Sequence, residues 1–136
     1  MQNLIYPMAA LVGLTFIVMY LLLILRVKTV RARKISPRYF KLNKGGELPD
    51  NVVTVEHNFN NLLELPVLFY TVCILALILN KNIDYFVIHA WGYVFFRYLH
   101  TYIHITYNNI VHRLIAFGLS TVVLFSMWVK VLLIVS

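Results

Sequence analysis

The chain has 136 residues, 61% of them hydrophobic and only 12% charged, with a formal net charge of +7. A soluble domain carries about a quarter charged residues, so this balance excludes a water-soluble globular protein and points to a membrane protein. Apolar runs and cations occupy separate segments, so topology is readable from the order in which they alternate.

The first run, Leu4–Leu25, has no charge. It exceeds the roughly 7–15-residue core of a signal peptide and follows no basic side chain, so it is expected to stay as an anchor. About 20 helical residues cross the ~30 Å hydrocarbon core. Directly after it come Arg26, Lys28, Arg31, Arg33, Lys34, Arg38, Lys41 and Lys44, eight of the twelve Lys and Arg residues. The positive-inside rule puts the basic loop, about 28–58, in the cytoplasm and both termini outside. Such a juxtamembrane cluster sets topology and touches anionic lipid headgroups, and no nucleic acid is needed to explain it. Ser36-Pro37, Gly45-Gly46 and Leu48-Pro49 interrupt helix, so the basic half should extend the first helix no further than Pro37, with Gly45–Val53 a loop.

The second span, Leu62–Leu79, opens from His57-Asn58-Phe59-Asn60-Asn61-Leu62-Leu63-Glu64. Helical spacing places His57, Asn61 and Glu64 on one side, with Asn60 at its edge. Cys73, the only cysteine, has no partner for an internal disulfide. The short Asn80–Asp84 turn makes the second and third spans antiparallel neighbours. The third, Tyr85–Ile105, carries Arg97, and after a break at Asn108-Asn109 and Arg113 the fourth runs over Leu114–Val135 with Lys130. The expected fold is an all-α membrane protein, a four-transmembrane-helix bundle forming one domain over 1–136, with spans about 4–26, 61–79, 84–105 and 114–135.

His89, Tyr93, Arg97, His100, His104 and Tyr107 are spaced by alternating steps of three and four, so they fall within about an 80° arc of one helix. An arginine at the bilayer centre costs roughly 2.5–3.5 kcal/mol on insertion scales, so such a stripe belongs on a bundle interior, a cavity or a ligand site. Glu64 and Asn61 lie at the same depth as Arg97–His104, so a Glu64–Arg97 ion pair is expected. Membrane packing needs one or two polar groups, whereas a cation-rich set of at least seven suits an anionic ligand. His100 and His104, four apart, could hold a metal with Glu64. Five histidines without a second box are too few for a di-iron membrane enzyme, and no metal is expected. The alternative in another class is a non-catalytic scaffold whose stripe locks helix packing.

The run Asn61-Leu62-Leu63-Glu64-Leu65-Pro66-Val67-Leu68-Phe69, with Arg97-Tyr98-Leu99-His100-Thr101 and Arg113 sixteen residues after Arg97, resembles the MAPEG family, membrane-associated proteins in eicosanoid and glutathione metabolism. The resemblance covers essentially the whole chain. It implies a homotrimer that binds glutathione as co-substrate at cytoplasmic subunit boundaries. Asn61, Glu64 and Arg97 would hold the tripeptide's carboxylates and amino group, with Tyr93, His100 and His104 completing the site and Arg113 stabilising the thiolate. The implied activity is glutathione transfer to a hydrophobic electrophile, or reduction of a lipid hydroperoxide, with membrane lipids around the protein. His104 stands where the family has tyrosine. Compact length and the lack of sorting signals suggest a bacterial inner membrane.

Overall fold

A computed structural model describes residues 2–136, and Met1 lies outside it. After a 3-10 turn, helix α1 (Ile5–Arg31) buries Pro7, Leu11, Leu14, Val18 and Leu22, steps of three and four that form one stripe. Its other faces expose Phe16, Ile17, Tyr20 and Leu23. A helix apolar all round has no aqueous face and belongs in lipid. The helix stops at Arg31, six residues before Pro37: Arg33 takes a left-handed backbone (φ 54°) and the Lys34 N–H turns back to the Thr29 carbonyl.

A single short turn of helix, α2 (Tyr39–Leu42), ends at left-handed Asn43. Helix α3 (Asp50–Glu64) then starts well inside the segment expected to be loop up to about residue 58. Two local reasons account for the early start. Pro49 sits in the extended conformation that precedes a helix, and Val52, Val55, Asn58 and Leu62 form a buried stripe at helical spacing. Arg26 of α1 closes an ion pair of 2.9 Å with Glu56 of α3, the one ion pair among the described residues.

Pro66 ends α3 and opens α4 (Pro66–Leu79), because it has no N–H to donate and its ring blocks the preceding turn. Left-handed Asn80 and Asn82 reverse the chain into α5 (Ile83–Ile105). The last helix, α6 (Ile110–Val135), is capped by the Asn109 side chain, which accepts from the backbone N–H groups of Val111 and His112. Helix α5 packs most extensively on α6 and also touches α1, α3 and α4. Leu11, Val18, Phe69, Val72, Phe86, Tyr93 and Met127 make the core.

Three stretches are long and apolar enough to cross a membrane: α1, the α3–α4 pair from Asp50 to Leu79, and α6. Of the four expected crossings, α5 differs. At 23 residues it is about 34 Å long, enough to span, but His89, Tyr93, Arg97, His100 and His104 remove it from the strongly apolar class. Its polar stripe is the side that faces inward.

Candidate functional site

The centre of the stripe is buried as one block: Tyr93 and Arg97 are fully enclosed, and His100 and His104 nearly so. Its ends diverge. His89 is half-buried, donates from Nδ1 to the Tyr85 carbonyl at 2.8 Å and stacks on the Tyr85 ring. Tyr107 lies beyond the end of α5, exposed, bonded to His112 Nδ1 at 2.9 Å. Tyr93 stacks on Phe69 with ring centroids 4.5 Å apart, deep in the core.

Arg97 does not pair with Glu64. Its Nη2 donates to the Asn61 backbone carbonyl at 2.6 Å, its guanidinium lies 5.8 Å from the Phe117 ring, and its Nε and Nη1 have no partner. The reason begins at Pro66. Breaking the helix there leaves carbonyls at the end of α3 without the N–H partners of a following turn, and a cation is the favourable group at such a C-terminus. Glu64 sits one turn away on the outer side, exposed and without a hydrogen bond, as do His57 and Asn60. The polar residue that α3 turns inward is Asn58, fully buried, whose Oδ1 accepts from Thr101 Oγ1 at 3.3 Å while its Nδ2 has no partner. Asn58 was missed in the sequence reading, although its place on the Val52–Val55–Leu62 stripe marks it as inward-facing.

Beside this block lies a cavity of about 470 Å³, walled by Asn61, His100, Ile110, Arg113, Leu114 and Phe117. Arg97 stands one layer behind it, touching both Asn61 and Phe117. Arg113 reaches the wall from the first turn of α6, held by Asn108 Oδ1 at 2.8 Å, and its Nε is buried without a partner. His100 contributes an unpartnered Nδ1. The structure thus brings together Asn61, His100 and Arg113, with Arg97 behind them. Glu64, Tyr93 and His104 stand apart from this cavity, and His104 lines a different one. Leu114, next to Arg113, and Phe117, one α6 turn on, were not singled out by sequence because apolar side chains on a span carry no distinguishing signal. Among the described residues no group of three or more His, Cys, Asp or Glu side chains is placed to hold a metal ion, and exposed Glu64 does not join His100 and His104.

Chemically, the cavity offers one guanidinium group, an amide, an imidazole and apolar walls, with the charge of the Arg97 guanidinium one layer behind. Helices of this length and composition, packed around buried cationic groups, define an all-helical integral membrane protein with a polar pocket in its bundle. The MAPEG family model matches residues 4–133, and the chain belongs to the MAPEG family. Comparisons with curated proteins and with solved structures returned no match.

Proposed function

We propose that this protein is a glutathione-dependent transferase or peroxidase of the membrane, acting on a hydrophobic electrophile or a lipid hydroperoxide. The observation that carries the reading is the cavity wall of Asn61, His100 and Arg113, backed by Arg97, in a chain of the MAPEG family. Arg113 on the wall and the positive charge of Arg97 behind it fit an anionic ligand such as glutathione, with its two carboxylates and its thiolate. Groups that served only to glue helices would have found partners within the bundle.

Arg113 is the residue assigned to the sulfur. A free thiol ionises at about 8.5, and a guanidinium in a poorly hydrated pocket favours the thiolate, raising the nucleophilic fraction at neutral pH. Arginine itself stays charged throughout. The thiolate's electron pair then forms a C–S bond at the β-carbon of an unsaturated electrophile, the C=C π bond breaks, and the resulting carbanion takes a proton from water. In the peroxidase mode it attacks a peroxide oxygen, breaking the O–O bond to leave an alcohol and a glutathione sulfenic acid, which a second glutathione converts to disulfide and water. Leu114, Ile110 and Phe117 give the apolar co-substrate a route from the bilayer.

The assembly belongs to the same proposal. Glu64 opens a membrane segment with its carboxylate exposed and unpaired, a costly position in lipid, so a second copy covering that face, as in a homotrimer, is the arrangement that satisfies it. The basic loop is assigned to the cytoplasm, both termini to the outside, and the membrane to a bacterial inner membrane. Isothermal titration of the detergent-solubilised protein with glutathione tests the ligand: saturable heat is expected, and none up to about 10 mM, roughly 3 kcal/mol of affinity, overturns the reading.

A further inference from the structure

His104 raises a separate question. Its ring is 1% exposed and neither nitrogen has a hydrogen-bond partner. It lies one turn after His100, with ring centroids 5.6 Å apart, yet it does not line the Arg113 cavity. It lines a second cavity of about 370 Å³ among Leu21 and Leu25 of α1, Thr54 and Val55 of α3, and Ile105. Burying an imidazole with both nitrogens unmet is costly, and the cost is offset when a ligand supplies the partner.

This cavity does not end at Leu25. Leu25 and Asn51 also line an adjoining pocket of about 190 Å³ that carries Lys28, Thr29 and Lys34. Neither lysine is paired: the one ion pair among the described residues is Arg26–Glu56, and nearby Asp50 forms none. Taken together as one groove through their shared wall at Leu25 and Asn51, the two pockets are apolar at Leu21, Val55 and Ile105, polar at His104 and Thr54, and cationic at Lys28 and Lys34. From Leu21 to Lys28 the helix rises about 10 Å, comparable to a glycerophosphate head with the first carbons of an acyl chain.

We infer that this groove is a binding site for an anionic glycerophospholipid. Its phosphate lies on Lys28 and Lys34, its ester oxygens face His104 and Thr54, and one acyl chain runs along Leu21, Val55 and Ile105 into the bilayer. Charge complementarity selects the head, because cations next to a span attract anionic lipid. The imidazole and the apolar floor select a lipid over free phosphate, which would leave both unused. The site is distinct from the glutathione reading and stands whether or not that reading holds.

Native mass spectrometry of the detergent-solubilised protein tests it, with dioleoyl phosphatidylglycerol and dioleoyl phosphatidylcholine as probes and inorganic phosphate as competitor. The parent is expected to retain phosphatidylglycerol about tenfold more tightly than phosphatidylcholine. Lys28→Gln with Lys34→Gln should erase that preference, and Leu25→Trp, which plugs the neck shared by the pockets, should weaken phosphatidylglycerol retention by about tenfold. Thermal melting of each variant against the parent confirms folding, and the exposed lysine pair keeps the test valid if the tryptophan does not fit. Three results overturn the site: no headgroup preference in the parent, displacement of the lipid by inorganic phosphate, or undiminished retention in a folded Leu25→Trp protein, which would assign the preference to diffuse attraction by the basic segment.

Discussion

Replacing Arg97 by methionine keeps an unbranched side chain of similar length and removes a fully buried charge. The variant loses the 2.6 Å bond to the Asn61 carbonyl and the Phe117 contact. A hydrogen bond to a charged group contributes roughly 1.5–3 kcal/mol and an arginine over a ring about 0.5–1 kcal/mol, together about 2–4 kcal/mol. Against that loss stand Nε and Nη1, buried without partners. Each unmet donor costs about 1–3 kcal/mol, so relief amounts to roughly 2–6 kcal/mol. The balance runs from about 2 kcal/mol less stable to about 4 kcal/mol more stable, centred about 1 kcal/mol on the stable side, in line with apolar replacement of buried ions elsewhere. Reversible unfolding in mixed detergent micelles measures it, alongside glutathione titration, which should weaken by about tenfold or more. Stability retained with binding lost is the mark of a residue kept for function. Destabilisation beyond about 3 kcal/mol, the size seen when a well-paired buried ion is broken, would refute the reasoning and make Arg97 a structural member.

Other outcomes follow from the same geometry. Arg113→Ala should abolish the ultraviolet thiolate absorbance of added glutathione while leaving assembly by light scattering intact; equal absorbance in variant and parent removes Arg113 from the chemistry. Asn108→Asp keeps a residue tolerant of the left-handed backbone (φ 49°) and places a carboxylate on the Arg113 guanidinium, so glutathione affinity should fall by about tenfold, read by the same calorimetry. Glu56→Gln breaks the partly exposed pair with Arg26 and should cost no more than about 1 kcal/mol, an effect that shrinks as salt is added.

Much of the fold could be read in the chain because lipid enforces simple rules. Charge-free runs became helices, and the alternation of threes and fours in α5 told which side is buried. What could not be read was rotation and partner. The polar count on α3 favoured a face of His57, Asn61 and Glu64. The helix instead turned about its axis to bury Val52, Val55 and Leu62, carrying Asn58 inward and Glu64 out. Apolar burial of several side chains outweighs one prospective ion pair. Arg97 found a backbone carbonyl, a partner that no side-chain pattern records. His100 and His104 are adjacent on one stripe, yet they line different cavities. The reading of Tyr107 as part of the stripe failed for a local reason: α5 stops at Ile105, so the periodicity has no helix to act on.

Pro66 precedes Arg97 by more than thirty residues, and that order has a biosynthetic consequence. A ribosome delivers the chain vectorially, and earlier segments settle before later ones leave the tunnel. When α5 with its polar stripe reaches the bilayer, the end of α3 that carries the Asn61 carbonyl is already made. The guanidinium meets a waiting acceptor, so the placing of α5 is templated by a helix end made earlier in the chain.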